Sequence, residues 1–440
     1  MPVPRVVVVG GGFGGLYAVR ALKGASVNVT LIDRRNYHLF RPMLYQVATG
    51  LLSADQIAGP LRSILREQKN VDVLMDEVTG INTAERTVQL GQRTLSFDFL
   101  ILATGIQYNY FGHDEWRAFA PGLESLDDAD LIRGKILLAF ERAEEMASLE
   151  HASSEAIQRE LTFALVGAGT VGVEMASTLA EMAHMALARD FRHIDPASAR
   201  ILLYEAGPRV LPTYPEVLST KARQHLESLG VRVHTDARVT DVDPEGIVVN
   251  GQRVSAGTVL WSAGVVASPV GLWLKAPTDR YGKVIVGPDL SVPGNQDVFA
   301  IGDTAHVVAP ARDLLGIKSP DPMVMPGVAQ PAIQEGVYVA DVIRRRVEKR
   351  AAPEPFRYWD KGDLAIVGRT YAVADLRVAR FAGFLAWLLW ALVHIYSLIG
   401  FANRLFVLLQ WGLAFVTKRR RVRVFPTQNH SVRNFIDPGA

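Results

Sequence analysis

The 440-residue sequence predicts an α/β protein built around two doubly wound, mainly parallel sheets. Two β-branched runs, Arg5–Val9 and Thr162–Val166, are each followed by a glycine-rich turn and then by helically spaced apolar residues. Each unit leads into another strand-like run, Val27–Asp33 in the first copy and Ile201–Glu205 in the second. A βαβ unit therefore occurs twice, which predicts two Rossmann-like dinucleotide-binding domains.

Short apolar runs after the second copy complete the predicted second sheet. They are Val231–His234, Val239–Val242, Ile247–Val249 and Val259–Trp261. A later run, Val298–Ile301, is expected to return to the first sheet, and the charged, mainly helical stretch Asp127–Glu160 is expected to connect the domains.

Composition excludes several classes of function. Hydrophobic residues make up 49% and charged residues 21% of the chain, as in globular proteins. The formal net charge of +2 gives no support to nucleic-acid binding. Because the sequence has no cysteine, it cannot form disulfides, thiolate metal sites or redox-active cysteine pairs. The scattered histidines lack ligand spacing, so no metal site is predicted.

The first glycine-rich turn carries the pattern G-x-G-x-x-G at Gly10, Gly12 and Gly15. The first glycine permits a tight turn, the second lets a pyrophosphate approach the backbone, and the third lets helix and strand pack closely. The helix N-terminus supplies N–H groups for the phosphates. Asp33 ends the second strand, where an acid binds a ribose hydroxyl in such domains.

The second turn repeats the pattern at Gly167, Gly169 and Gly172. Glu205 ends its following strand, where it is expected to accept hydrogen bonds from both ribose hydroxyls and to repel a 2′-phosphate. This predicts NADH rather than NADPH, although a solvated acid at a strand end is the alternative. Two dinucleotide sites in one chain indicate that two dinucleotides meet, as when NADH reduces FAD.

Three further segments resemble those of two-dinucleotide flavoproteins. Ala103-Thr104-Gly105 resembles the A-T-G strand end of that superfamily, Ala263-Gly264 resembles its counterpart in the NADH domain, and Gly302-Asp303 resembles the segment that binds FAD through its aspartate. The resemblance therefore implies FAD as cofactor and NADH as substrate. Together with the turns, the residues assigned to dinucleotide binding include Phe13, Gly14, Arg34, Arg41 and Ala329.

Within that superfamily the chain resembles the type II NADH dehydrogenases, which are non-proton-pumping NADH:quinone oxidoreductases. The resemblance rests on Asn36–Gly50 and on Ala329–Gly336, which matches the A-Q-x-A-x-Q segment of the quinone site. It implies hydride transfer from NADH to FAD and passage of two electrons to a membrane quinone. Glu335 and Val171 depart from the residues frequent in the family, glutamine and threonine respectively.

Four residues are expected to take part in the chemistry. Glu174 follows the second turn and by resemblance lies near the nicotinamide and flavin, although a helix-start carboxylate stabilised by the dipole is the alternative. Gln330 and Gln334 share a helix face, where their amides are expected to bind quinone carbonyls, and Glu335 is expected to supply protons. The alternative is a helix start packing beneath the flavin.

The resemblance also orders the domains. Residues 1–125 and 276–350 are predicted to form the FAD-binding domain, residues 126–275 the NADH-binding domain with its helical connection, and residues 351–440 a C-terminal membrane-associating region.

The C-terminal region contains the apolar stretch Phe381–Ile399 and the interrupted apolar stretch Leu405–Val416. A basic run follows at Lys418, Arg419, Arg420, Arg421 and Arg423. These features predict helices that lie in the membrane interface, with the cations at anionic lipid headgroups. A transmembrane span and a buried dimerisation helix are alternatives. With no signal peptide visible, we expect a peripheral protein on the cytoplasmic face of the inner membrane that binds phospholipid, and the sequence leaves homodimer formation open.

Two other functions remain open at this point. The same fold can reduce a protein acceptor such as ferredoxin, which would need no apolar C-terminal region. A nucleotide-binding redox sensor or interaction protein with slow turnover is the alternative from another class. Disulfide reductases and sulfide:quinone reductases are disfavoured because they need cysteines.

Overall fold

The computed structural model describes residues 2–149, 152–319, 321–417, 420, 422 and 424. The chain divides into two compact units, each assembled from separate segments. The first unit comprises Met1–Leu39, Ala58–Gln107 and Val265–Lys361, and the second comprises Phe40–Ile57, Tyr108–Gly264 and Gly362–Ala440.

The first unit is built on a mainly parallel sheet that contains the first glycine turn. Its strands lie in the order Ser291–Val292, Asn295–Ala300, Phe99–Leu102, Arg5–Val9, Asn28–Asp33 and Val71–Met75. Arg5–Val9 pairs in parallel with strands on both sides, Val6 lying opposite Val29 and Phe99. Its valines are buried on both faces, as expected of a central parallel strand. The expected return strand is confirmed, because Val298 lies opposite Leu100.

Smaller elements surround this sheet. The shorter strands wholly within the unit are Tyr37–Leu39, Ala58–Pro60, Val78–Asn82, Thr87–Leu90, Arg93–Ser96, Val265–Ala267, Val284–Ile285, Ala305–His306, Val308–Ala309, Ala311–Arg312, Met323–Val324 and Tyr358–Trp359. The α-helices are Phe13–Ala21, Leu61–Leu65, Val270–Leu274 and Ala329–Val347. The first and last of these helices pack so closely that a Cβ on Gly336 would lie 2.3 Å from the Gly14 carbonyl oxygen.

The second unit contains the other predicted sheet. Its parallel strands lie in the order Val231–His234, Arg200–Tyr204, Thr162–Val166 and Thr258–Trp261. Antiparallel ribbons are formed by Val239–Asp243, Gly246–Val249 and Gln252–Ser255, and by Asp363–Ile366, Ala372–Asp375 and Arg380–Gly383. The α-helices before the C-terminal pair are Leu44–Ala48, Ala54–Ile57, Leu126–Ser148, Ser154–Glu160, Thr170–Glu181 and Glu216–Ser228. The expected helical connection begins at a capping box, in which Ser125 and Asp128 satisfy each other's backbone N–H groups.

Two apolar helices, Phe384–Ser397 and Phe401–Thr417, end the second unit before the basic run. Gly400, with φ of +93°, separates them, and many of their leucines face solvent. Among the described residues, no helix combines the length and apolarity needed to cross a membrane.

Arg420 corrects one expectation about the basic run. Its side chain is buried, and its guanidinium donates to the carbonyl oxygens of Thr49 at 2.7 Å and Thr178 at 2.8 Å. Because these bonds hold it inside the unit, it does not meet lipid headgroups as predicted. Lys418, Arg419, Arg421 and Arg423 lie outside the described residues.

Candidate functional site

The first and third glycines of each turn are required by the protein itself. A Cβ on Gly10 would lie 2.2 Å from the Ala103 carbonyl oxygen, and one on Gly15 would lie 1.8 Å from that of Gly10. In the second turn a Cβ on Gly167 would lie 2.8 Å from the Ala263 nitrogen, and one on Gly172 1.9 Å from the Gly167 oxygen. Gly10 and Gly167 also have φ of +104° and +99°, which disfavours any side chain.

The middle glycines differ from their neighbours. A Cβ on Gly12 or on Gly169 would have nothing within 4 Å among the described residues. No protein atom in the described part of the chain therefore accounts for glycine at these two positions. Each lies at the N-terminus of a helix, Phe13–Ala21 or Thr170–Glu181, where backbone N–H groups attract anions. Both turns thus fit a pyrophosphate that approaches the backbone at its middle glycine.

The two predicted ribose acids hold the turns as well as ending the strands. Asp33 accepts the backbone N–H of Gly11 at 2.6 Å with one oxygen and that of Arg35 at 2.7 Å with the other. Glu205 accepts the N–H groups of Ala168 and Gly207, each at 2.8 Å. A carboxylate has about four acceptor sites, so each acid retains capacity for a ribose hydroxyl.

Between the first and second glycines lies Gly11 in the first turn and Ala168 in the second. A different group binds the carbonyl of this residue in each turn. The Nδ1–H of the buried His38 donates to the Gly11 oxygen at 2.9 Å, and its ring packs edge-on against Phe13. Burial lowers the pKa of His38, so the neutral imidazole is favoured. In the second turn the Ala168 oxygen instead accepts the backbone N–H of Leu211 at 2.8 Å.

The A-T-G and G-D segments meet through a residue that the motifs do not include. The Thr304 hydroxyl accepts the backbone N–H of Gly105 at 2.9 Å and lies 3.1 Å from the Thr104 hydroxyl. Asp303 lies close to Gly327, since a Cβ added to Gly327 would be 2.9 Å from a carboxylate oxygen of Asp303. These contacts lie beyond the carboxyl ends of the central strands, where open α/β sheets bind ligands. The signal available from sequence was Thr304's position directly after Gly302-Asp303.

Glu335 is positioned inside the first unit. Its carboxylate accepts the backbone N–H of Gly302 at 2.5 Å, and its side chain is almost completely buried. Burial raises its pKa to about 7, while the Gly302 N–H opposes that shift. The glutamate thus fixes the Gly302 backbone and is able to change protonation state near neutral pH.

Gln330 and Gln334 share a helix face, as predicted, but their amides differ in availability. Gln334 donates to the Trp359 carbonyl at 3.0 Å and accepts the Trp359 N–H at 2.9 Å. Its amide is therefore committed to the backbone of another segment. The half-buried Gln330 amide makes no hydrogen bond to any other described residue, so it is the better candidate to bind a quinone carbonyl.

Glu174 lies in the second unit, at the start of helix Thr170–Glu181. Its side chain is buried, and burial raises its pKa well above the ordinary value, against the opposing effect of a hydrogen bond from the Ile366 backbone. It lies near the helix start, as the alternative interpretation expects, and it is buried there. Burial therefore favours its protonated form, which can donate a proton or a hydrogen bond.

Sequence reasoning missed the neighbours of Glu174. Burial raises the pKa of Tyr45, and the ionised form of Glu174 raises it further. The Tyr45 hydroxyl accepts from the Gln46 amide at 2.9 Å, and that amide accepts the Trp411 indole N–H at 2.8 Å. A buried hydrogen-bonded chain thus links an apolar helix to the surroundings of Glu174.

The remaining predicted binding residues are distributed over both units. Gly14 is buried against helix Ala329–Val347, which begins at Ala329, and Arg34 is exposed after the Asp33 strand. Gly264, in the second unit beside Ala263, has φ of +69°. Arg41 is exposed in the second unit, where its charge acts on Tyr108.

Known proteins with this arrangement are found by sequence and by structure. Residues 4–336 match the family described as pyridine nucleotide-disulphide oxidoreductase. The type II NADH:quinone oxidoreductase Ndh of Mycobacterium tuberculosis is 44% identical over 94% of this chain and 89% of its own length. The chain belongs to the type II NADH:quinone oxidoreductases. A second relative from the same organism, the type II NADH:quinone oxidoreductase NdhA, is 43% identical over 94% of this chain and 88% of its own length.

The fold of this type II oxidoreductase also matches a solved structure. NDH2 from Plasmodium falciparum, in complex with NADH, aligns with a TM-score of 0.84 over 95% of this chain and 99% of its own. Its sequence identity is 22%, so the match concerns the fold alone. Both glycine turns and the segment from Ala329 to Gly336 lie within the residues that the family model covers.

Proposed function

We propose that this chain oxidises NADH and reduces a membrane quinone, with FAD held at the first glycine turn and NADH at the second. The open space at Gly12 and at Gly169 is the observation that carries this assignment, because a dinucleotide accounts for glycine at both positions. When bound, FAD supplies the two-electron chemistry that links hydride oxidation to quinone reduction.

The residues that would hold FAD lie at the carboxyl ends of strands in the first unit's sheet. Gly12 and the N-terminus of helix Phe13–Ala21 face its pyrophosphate, and Asp33 faces its ribose. Gly302 and Asp303 follow the strand Asn295–Ala300 of the same sheet. Glu335 holds that backbone by accepting the Gly302 N–H. In the second unit, Gly169 and Glu205 take the equivalent parts of NADH, and the Glu205 charge disfavours a 2′-phosphate.

One side chain is proposed to bind the quinone. The Gln330 amide, which has no partner among the described residues, donates to a quinone carbonyl and orients the ring. Glu174, in the second unit, is proposed to couple protons to the reaction, because burial favours its protonated form. Gln334 and Glu335 support this region by fixing Trp359 and Gly302, rather than by contacting the quinone.

We further propose that the apolar helices Phe384–Ser397 and Phe401–Thr417 lie in the interface of the inner membrane on its cytoplasmic face. Their exposed leucines would bury among lipid chains, which brings the enzyme to a quinone confined to the bilayer. Residues 1–125 and 276–350 would serve FAD, residues 126–275 NADH, and residues 351–440 the membrane.

The flavin spectrum of the purified protein tests the function. NADH is expected to bleach the flavin absorbance, and a ubiquinone or menaquinone analogue added afterwards is expected to restore it. A protein without flavin, or a flavin that NADH bleaches and only a protein acceptor restores, would contradict the proposal.

Gln330 and Gln334 provide a matched pair for the quinone step. Gln330→Ala is expected to slow flavin reoxidation by quinone about tenfold, the effect of one lost hydrogen bond, and to leave reduction by NADH unchanged. Gln334→Ala is expected to lower thermal stability because Trp359 loses both bonds. Stopped-flow traces that slow equally in both half-reactions of Gln330→Ala would contradict its role.

A further inference from the structure

A tight turn in the first unit presents apolar side chains to solvent. The Asp313 carboxylate accepts the backbone N–H groups of Leu315 and Ile317, both at 2.9 Å. The Asp313 N–H donates to the Ile317 carbonyl at 3.0 Å, and Gly316 adopts φ of +79°. The turn is therefore closed by its own hydrogen bonds, and yet Leu315 is 72% exposed and Ile317 60% exposed.

An aromatic side chain and cations accompany this turn. The strand Ala311–Arg312 before it pairs with Tyr358–Trp359, and Trp359 is 41% exposed. The Arg312 guanidinium lies 6.0 Å from the Trp359 ring centre and the Lys361 ammonium 4.9 Å from it. The Gln334 amide forms hydrogen bonds with both the N–H and the carbonyl of Trp359, which fixes the backbone that carries the indole.

The charges around the turn are mostly positive. Arg312, Lys318 and Lys361 are exposed. Of the neighbouring acids, Asp313 accepts N–H groups of its own turn and Asp360 is buried, while Asp321 is exposed three residues after Lys318. An apolar tip with an interfacial indole and flanking cations matches the chemistry of an anionic phospholipid surface, whose acyl chains accept leucines and whose headgroups attract lysines.

We propose that Leu315, Ile317, Trp359 and the flanking cations, here called the tip surface, insert into the anionic phospholipid surface. The tip surface is separate in sequence from the two C-terminal apolar helices and gives the FAD-binding unit its own contact with lipid. This inference rests on the proposed membrane location of the enzyme. It adds that two different segments of the chain bind the bilayer.

The absence of natural cysteine makes a direct test possible, because a single introduced thiol can be labelled in the full-length protein. Leu315→Cys carries an environment-sensitive nitrobenzoxadiazole dye at the tip. Leu272→Cys, at a side chain 80% exposed on the short helix Val270–Leu274 of the same unit, is the matched control. Leu385→Cys, 70% exposed on helix Phe384–Ser397, reports the helices separately.

Vesicles of phosphatidylcholine with phosphatidylglycerol are the lipid probe. The dye at position 315 is expected to shift to the blue and to be quenched by spin-labelled lipid, while the dye at position 272 stays unchanged. Lys318→Gln is expected to weaken partition into these vesicles about fivefold, the effect of one cation near an anionic surface, and to leave partition into pure phosphatidylcholine unchanged.

Each contrary result has a distinct meaning. A response at position 385 without one at position 315 would overturn the tip surface and leave the proposed location of the helices intact. No response at either position would overturn both. Equal responses at positions 315 and 272 would indicate non-specific adsorption and overturn the proposal. A blue shift that depends on protein concentration without vesicles would assign the tip surface to a second copy of the chain.

Discussion

The two glycine turns reach nearly the same backbone geometry but are held by different groups. In both, the first glycine has φ near +100°, the third packs on the carbonyl of the first, and an acid accepts the N–H of the residue between the first and second glycines. The carbonyl of that residue is bound by the imidazole of His38 in the first turn and by the backbone of Leu211 in the second.

This difference separates what the ligand requires from what the chain can vary. Both turns have the crowded first and third glycines, the open middle glycine and the acid, because a dinucleotide bound at a strand end requires each of them. The group that binds the carbonyl varies, because any N–H donor will serve. A consequence is that the first turn depends on a titratable side chain at this point and the second does not.

The largest effect is expected at the third glycines. Gly15→Ala and Gly172→Ala would each place a Cβ within 2 Å of a carbonyl oxygen, so strand and helix must separate. We expect each to lower the free energy of unfolding by at least about 3 kcal/mol, with or without ligand. Thermal unfolding of the apoprotein measures this. Unfolding at the wild-type temperature would mean that the turns are less rigid than their contacts indicate.

The middle glycines should behave in the opposite way. Gly12→Ala meets no described protein atom, so the apoprotein should unfold as the wild type does while FAD is lost on purification. Gly169→Ala should retain FAD and raise the KM for NADH about tenfold or more, the effect of an ordinary steric conflict of about 1–3 kcal/mol. Absorbance ratios and steady-state kinetics distinguish the two. Retention of FAD by Gly12→Ala at wild-type affinity would contradict the assignment of FAD to the first turn.

Most of the fold was predictable because it depends on local patterns. The two βαβ units, the return of Val298–Ile301 to the first sheet and the helical connection follow from periodicity and glycine spacing. His38 could not be predicted as a donor to the turn, because the segment Asn36–Gly50 carries a family resemblance but no local pattern that indicates such a contact. Its bond to Gly11 spans 27 residues and depends on how the strand Tyr37–Leu39 pairs with Ala58–Pro60.

The candidate site was less predictable where a side chain had two possible partners. Helical spacing placed Gln330 and Gln334 on one face, but it could not show that Trp359 takes both hydrogen bonds of Gln334. In the same way the basic run predicted lipid contact for Arg420, whereas carbonyls distant in sequence bind it inside the protein. Such hydrogen-bond partners are set by tertiary packing, so the sequence of a short segment does not predict them.

The burial of His38 is expected to make FAD binding sensitive to acid. Burial lowers the pKa of His38 in the fold, so the neutral ring that the turn accommodates is fully present above the ordinary value of about 6.5. As pH falls through the lower folded value the ring becomes charged, and although Nδ1–H still donates to Gly11, the buried charge opposes the folded turn. The nearby Asp33 charge opposes this lowering and that of Arg20 adds to it. FAD release is therefore expected to increase below pH 6.5.

Two substitutions at position 38 separate the hydrogen bond from the ring. His38→Phe keeps the packing against Phe13 and should weaken FAD binding roughly tenfold at every pH, the effect of one hydrogen bond. His38→Asn keeps an N–H donor that does not titrate, so it should bind FAD well and lose the acid dependence above pH 5 or so. His225→Asn, at a half-buried histidine stacked on Tyr371, is the control. If His38→Asn and the wild type show the same acid profile, His38 is not the titrating group.

The effect at the ribose acids is expected to be no larger than that at His38, because both acids also bind backbone N–H groups that an amide can partly replace. Glu205→Gln removes the charge that opposes a 2′-phosphate and should narrow the preference for NADH over NADPH about tenfold in kcat/KM. Asp33→Asn makes the same chemical change at the first turn and should leave that preference unchanged while FAD binds more weakly. If both variants shift the preference equally, the effect is general electrostatics rather than contact with the nucleotide. If neither does, NADH is selected by residues other than Glu205, and the second turn fixes only the pyrophosphate.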